Sequence, residues 1–304
     1  MNDKFKKYEV SRKDFENIHD EKTICGGLAR TTFVIQKSTG QKCACKSTLQ
    51  KIAKIERFFY NEIDVLARIN HPAIVPFIGY AIDNKRGYIY LKYMEKGSLV
   101  DLIRQNRANS IDPLWDDTHK LIISYGVAQA MKYLHSNNIL HRDLKPQSIL
   151  LDTELHPYIS SFSTSKGVDD PIDSKTIHQT TVLFMAPEFI EDPEKYNRTK
   201  PIDVYSYAMV LYYIWTEQLP YDENNSLHEI LDKVLKNERP KFPSAISPNE
   251  NWKHLITRCW DQSPGGRPTF SEICSLLESE HFVTSNIDKN MFQNYKKIFD
   301  SMHS

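Results

Sequence analysis

The stretch His141-Arg142-Asp143-Leu144-Lys145-Pro146 packs three charged side chains into six positions and closes on a proline. Upstream of it, Ile123, Val127, Ala130, Met131 and Leu134 recur at helical spacing and predict a helix over 121–134. Downstream, short strands and a polar loop are expected over 139–182. Helices follow near 204–215, 226–235 and 252–260, then a last turn over 270–280, and 290–299 is a candidate tail helix. Toward the N-terminus the pattern changes at Met94. A short amphipathic helix is expected over 99–103, but before Met94 the signals are mostly strands. Thr32-Phe33-Val34-Ile35, Lys42-Cys43-Ala44-Cys45 and Tyr88-Ile89-Tyr90-Leu91 are strand-length and rich in β-branched or aromatic residues. Between them Phe58, Ile63, Leu66 and Ile69 predict one helix over 55–69, ended by His71-Pro72. The expected class is α+β: a small β-rich lobe with one main helix, then a large helical lobe. A polar, basic extension over 1–15 is expected to fray. One domain covers 16–280, its lobes meeting near 93 and 94, and a tail covers 281–304.

Composition narrows the function. Lys plus Arg and Asp plus Glu both total 39, so the net charge is zero and bulk attraction to nucleic acid or anionic membrane is not expected. The most apolar stretch, 208–215, is too short to span a bilayer and reads as a buried helix. The opening Met-Asn-Asp-Lys-Phe-Lys-Lys lacks the apolar core of a secretory signal. Asn2 stands where N-myristoylation needs glycine. Cys25, Cys43, Cys45, Cys259 and Cys274 are odd in number, which suits the reduced thiols of a cytoplasmic protein. No His or Cys cluster completes a zinc set around Cys43 and Cys45.

The 141–146 string resembles the catalytic loop of protein kinases. A surface turn with scattered charges is the plainer account, and the specificity of the string weighs against it. The resemblance extends in the family's order. Ala44-Cys45-Lys46 resembles the strand motif whose lysine meets the nucleotide phosphates, and Glu62 sits on the helix that supplies its ion-pair partner. Ala186-Pro187-Glu188, Asp203 in Asp203-Val204-Tyr205-Ser206, and Gly266-Arg267-Pro268 resemble the family's structural motifs, with Arg267 the partner of Glu188. Cys259-Trp260 is similar to the tyrosine and tyrosine-kinase-like branches. Lys145 and Thr181-Val182-Leu183-Phe184-Met185 resemble serine/threonine kinases. The chain is thus identified with the tyrosine-kinase-like (TKL) serine/threonine group, and the resemblance implies the bilobal protein kinase fold. It implies that Asp143 accepts a hydroxyl proton and Lys145 offsets charge on the transferred group. It places adenine between Ala44 and Leu150, against the backbone of Lys92 and Met94, with Leu91 as gatekeeper. Phe162, His141, Leu66 and Phe77 match the family's regulatory spine.

Three departures weigh against efficient catalysis. Ser161-Phe162-Ser163 stands where the family has Asp-Phe-Gly, and Ser148 where it has Asn. The family's residues there hold magnesium, and a serine hydroxyl is a neutral, weak ligand for a hard cation. The glycine-rich loop, Ile24-Cys25-Gly26-Gly27-Leu28-Ala29, keeps Gly26 and Gly27 but fits only Gly26 to a required position. Loss of both metal anchors leaves on the order of a thousandth of a kinase's rate, or less. The expectation is a pseudokinase: a signalling scaffold or regulator that binds ATP weakly and without magnesium, through Gly26, Gly27, Ala44, Lys46, Glu62, Lys92, Met94 and Leu150. The alternative is an active serine/threonine protein kinase, using Asp143, Lys145 and magnesium to phosphorylate a protein substrate. Hydroxyls at Ser165, Ser174, Thr176, Thr180 and Thr181 are candidates for phosphorylation beside Arg142.

Overall fold

Six short strands carry the first third of the chain. In the computed structural model, which describes residues 3–18, 23–26, 29–167, 182–196, 198–222 and 225–300, they are β1 (Phe15–Asn17), β2 (Ile24–Gly26), β3 (Ala29–Gln36), β4 (Lys42–Thr48), β5 (Phe77–Asp83) and β6 (Arg86–Lys92). All pair antiparallel in the order β1-β3-β4-β6-β5, with β2 also on β3. Residues two apart share a face of a strand. Cys43 and Cys45 therefore point together into an apolar layer with Phe15, Val34, Ala81 and Tyr90. Burial pushes the Cys45 thiol up to about 11, which suits packing rather than reactivity. Asn84 and Lys85 both take positive φ at the β5–β6 turn, as a two-residue hairpin requires.

Helix α1 (Ile52–Arg68) links β4 to β5. Phe59, Ile63, Val65 and Leu66 bury its inner side. Phe59 approaches β6 so closely that a Cβ on Gly87 would overlap its ring. The helix stops at Ile69, in extended conformation, before His71-Pro72.

The second part is helical: α2 (Leu99–Arg107), α3 (Asp117–Ser136), α4 (Pro187–Glu191), α5 (Pro193–Tyr196), α6 (Pro201–Thr216), α7 (Leu227–Leu235), α8 (Glu250–Cys259), α9 (Phe270–Leu277) and α10 (Lys289–Asp300). Helix α6 is buried from Ile202 to Thr216, as a helix apolar on all sides must be. Helix α3 starts four residues before the expected boundary. Asp116 caps it, accepting from the His119 amide at 2.8 Å, and its polar first turn carries no apolar signal. Small sheets lie between the helices: β7 (Gly97–Ser98), β9 (Ile149–Leu151) and β10 (Pro157–Ile159) in the order β10-β9-β7, and β8 (Ile139–Leu140) with β11 (Lys166–Gly167). The architecture is the expected α+β one, a curled sheet with one helix joined to a helical lobe. Among the described residues no helix is long and apolar enough to cross a membrane.

One expectation for the ends of the chain changes. The extension expected to fray forms a 3-10 turn over Asp3–Tyr8, with Phe5 only 5% exposed. Aromatic residues among its lysines anchor it.

Candidate functional site

Strand β4 places Lys46 opposite Thr31 of β3 and Ile89 of β6. Its Nζ donates to both carboxylate oxygens of Glu62 on α1, at 2.8 and 2.6 Å. Glu62 is 3% exposed, and a carboxylate so buried requires such a partner. One residue earlier on α1, the Asn61 amide donates to the carbonyls of Ser163 at 3.2 Å, Phe162 at 3.4 Å and Ser165. Helix α1 therefore touches the lysine strand and the 162–165 segment at once. The sequence carried no signal for Asn61 beyond its place beside Glu62.

The 141–148 loop is fixed from below. Asp203, in the first turn of α6, accepts from the amides of His141 at 3.0 Å and Arg142 at 2.8 Å, and from His135 Nε2 at 2.8 Å. Burial alone would raise the Asp203 carboxyl, but His135 and the loop amide hold it below the usual range. His141 Nδ1 accepts from the Asp143 amide at 3.3 Å, which leaves its proton on Nε2 to donate to the Ser160 carbonyl at 3.0 Å. Burial pushes this imidazole below its ordinary pKa, consistent with a neutral ring. Its ring meets that of Phe162 edge-on at 5.3 Å. Leu66 is buried in the same core, and half-buried Phe77 packs against the ring of Tyr8. Lys145 Nζ donates to Asp143 Oδ1 at 2.7 Å.

The two serines at the expected metal positions differ. Ser148 is 1% exposed. Its Oγ accepts from the Lys145 amide at 3.0 Å and donates to the Lys145 carbonyl at 2.8 Å, with the Asp143 carbonyl at 3.2 Å. That hydroxyl is engaged by the loop it sits in. Ser161 takes φ of 70°, a left-handed conformation that costs a non-glycine residue about 1–3 kcal/mol. The nearby carboxylates of Glu62 and Asp143 each hold an ammonium group. Magnesium prefers carboxylate and phosphate oxygens at near-octahedral positions, and this donor set does not fit it.

The residues expected around a nucleotide are arranged as follows. Gly26 pairs with Ala29 at the β2–β3 end, while Gly27 lies outside the described residues. Ala44 pairs with Leu91 of β6. The Lys92 amide donates to the Pro76 carbonyl at 3.0 Å, and the Met94 carbonyl accepts from Gly97 at 3.2 Å. Leu150, on β9, is half-buried against the main core with Ala44. A cavity of about 370 Å³ is lined by Lys92, His71, Tyr158, Tyr295 and Ile298 among others, and its lining does not include Lys46 or Asp143. A shallow recess beside Asp143 is lined by Leu144, Phe184, Met185, Phe189 and Ile202. Of the candidate phosphorylation sites, Ser174, Thr176, Thr180 and Thr181 lie outside the described residues. Ser165 is buried and donates to the His141 carbonyl at 3.1 Å, so it serves the fold instead.

Below the loop, Arg267 forms a bidentate pair with Glu188 at 2.6 and 2.8 Å, both residues buried. Two lobes meeting at a braced Asp–Lys loop define the class of kinase-fold proteins. Residues 20–277 match the family model of the protein kinase domain, and the chain belongs to that family. It is 33% identical over 226 residues to the serine/threonine/tyrosine-protein kinase HT1 of Arabidopsis thaliana, covering 74% of this chain and 55% of that protein. It is 32% identical over 225 residues to the serine/threonine-protein kinase STY17 of the same plant, covering 74% of this chain and 38% of that protein. It is 32% identical over 226 residues to the serine/threonine-protein kinase TNNI3K of Rattus norvegicus, covering 72% and 26%. These likenesses agree with the tyrosine-kinase-like assignment. The chain spans about half the length of the first of these relatives and less of the others.

Proposed function

We propose that this chain is a pseudokinase, a kinase-fold module that holds ATP weakly and without magnesium and works in cytoplasmic signalling through protein partners. The observation that carries the reading is Ser148, whose hydroxyl is tied to the loop backbone at 2.8 and 3.0 Å. With neutral Ser161 beyond it, neither position offers a hard cation the oxygen it prefers. Nucleotide contacts are assigned to Lys46, held by Glu62, for the phosphates. Ala44, Leu150 and the backbone of Lys92 and Met94 are assigned to the base. Gly26 and Gly27 are assigned to the loop above the phosphates.

A second reading is favoured by one observation. The Lys46–Glu62 pair is assembled and Asp143 and Lys145 stand together, which suits an active serine/threonine kinase with altered metal ligation. In that case Asp143 takes the hydroxyl proton of the protein substrate and Lys145 offsets charge on the transferred phosphoryl group. The deciding measurement is transfer of the γ-phosphate to a generic protein substrate with magnesium or manganese, with Asp143→Asn as control. No incorporation above the control supports the pseudokinase. Incorporation that disappears in the control overturns it. A thermal shift with millimolar ATP, equal with and without magnesium, supports the nucleotide assignment, and the lack of any shift removes it.

A further inference from the structure

The family match covers residues 20–277, and the described residues before and after it are both packed onto the domain, the first on α1 and β5, the second on α3 and the segment that leaves α1. On the N-terminal side, the ring of Phe5 stacks on Tyr60 of α1 at 6.2 Å. Tyr8 Oη donates to the Ala67 carbonyl in the last turn of α1 at 2.8 Å. The Tyr8 ring lies 5.4 Å from Phe77 of β5, and the Val10 amide donates to the Tyr80 carbonyl at 2.9 Å. Strand β5 is shaped for this crossing. A Cβ on Gly79 would lie 2.7 Å from Val10 Cγ1 and 2.8 Å from the Tyr8 carbonyl oxygen, so the close approach requires glycine.

On the C-terminal side, α10 buries Phe292, Tyr295 and Phe299. Their rings surround Tyr125 of α3 at 5.3, 6.5 and 5.8 Å. Phe299 also lies 5.4 Å from the ring of His71, in the segment that leaves α1. The adjacent Asn70 amide donates to Tyr133 Oη of α3 at 3.2 Å. Helix α3 makes room as β5 does. Gly126 sits in its middle, where a Cβ would meet the Tyr295 hydroxyl and lie 2.5 Å from Pro157 Cγ. Glycine is unfavourable inside a helix and weakens a strand, so Gly126 in α3 and Gly79 in β5, each admitting one flank, indicate that the domain is built around them.

We propose that the two flanks form a clamp that holds α1 with Glu62 on Lys46. The N-terminal flank grips the outer side of the helix, and α10 pins the chain where the helix ends. Phe5, Tyr8 and Phe299 are positioning residues that act on Glu62 through α1. Both flanks thus act on the ion pair from within this chain. The clamp acts on α1 whether or not the protein transfers phosphate.

Amide hydrogen exchange on the full chain, free of nucleotide, tests it, because exchange reports local opening of one element apart from the rest. In Phe5→Ala with Tyr8→Ala, the amides of 56–68 exchange at least tenfold faster, while those of α6 and α8 keep their rates. In Phe299→Ala, the increase falls on 65–75. A purely surface-covering role predicts faster exchange of residues 5–10 with 56–68 unchanged, and that result overturns the proposal. Should the double substitution fail to fold, Tyr8→Phe removes only the hydrogen bond to Ala67. Faster exchange confined to 64–69 then supports the clamp, and wild-type rates there overturn it.

Discussion

Ser148 shows how one side chain can serve the fold at the expense of a ligand position. Its hydroxyl closes the 143–148 turn, donating to and accepting from Lys145. Ser148→Asn combined with Ser161→Asp introduces the amide and carboxylate oxygens that a hard cation prefers. The double variant is expected to show a magnesium-dependent thermal shift with ATP that the wild type lacks. The larger Asn side chain in a 1%-exposed site will cost about 1–3 kcal/mol of stability, read from the urea midpoint. An unchanged response to magnesium in a folded variant removes the ligand argument. His141 makes a second residue-scale prediction. Its buried imidazole has a folded pKa below the ordinary His value of about 6.5. The unfolded chain therefore binds the proton more readily, and the contribution is fully present above about pH 6.5 and lost as pH falls below it. Urea unfolding between pH 7.5 and 5.5 should show stability falling by up to about 1.4 kcal/mol per pH unit, and His141→Phe should flatten that slope.

Among elements, α3 is the one whose sequence reads against itself. Gly126 interrupts an otherwise strong helix, and the reason lies in α10 and β10, which press Tyr295 and Pro157 onto it. Gly126→Ala improves helix propensity by about 1 kcal/mol in isolation. In this chain the added methyl forces neighbours apart at a typical cost of about 1–3 kcal/mol, so the expected net result is destabilisation. Chemical denaturation decides it: a stabilised Gly126→Ala protein would show that α10 does not sit against α3. Helix α6 is the opposite case, apolar on all sides and buried on all sides, which its composition announces.

Across the whole molecule, buried charges join segments far apart in sequence. Arg267 reaches Glu188 with two hydrogen bonds, the Asp261 carbonyl at 2.8 Å and the Pro201 carbonyl at 3.0 Å. Three separate segments, at 188, 201 and 261–267, meet at one guanidinium. Arg267→Ala leaves Glu188 buried without its cation, and the expected loss is about 3–5 kcal/mol. A loss near the 0–1 kcal/mol of exposed pairs, measured by urea denaturation, would mean that the site admits water.

The α+β class, the helix that carries Glu62, the 141–146 loop and the pairing of Arg267 with Glu188 are all legible in the sequence. Apolar periodicity marks helices and strands because burial requires it, and the motif strings mark the loop because its chemistry needs those residue types in that order. The Lys46–Glu62 contact was legible as an expectation, and the 2.6 Å geometry confirms that the two meet. Other features depended on the third dimension. A hydroxyl at position 148 could bind a cation or a backbone, and only the fold shows the Lys145 amide and carbonyl beside it. Asn61 carries no local signal, because its partners lie 101 to 104 residues away. The N-terminal turn reads as a basic tail, since Phe5 and Tyr8 stand among lysines with no apolar periodicity around them. Their burial exists only once α1 and β5 stand beside each other. Local pattern encodes which elements form, whereas contacts between distant segments depend on a shape that no single segment contains.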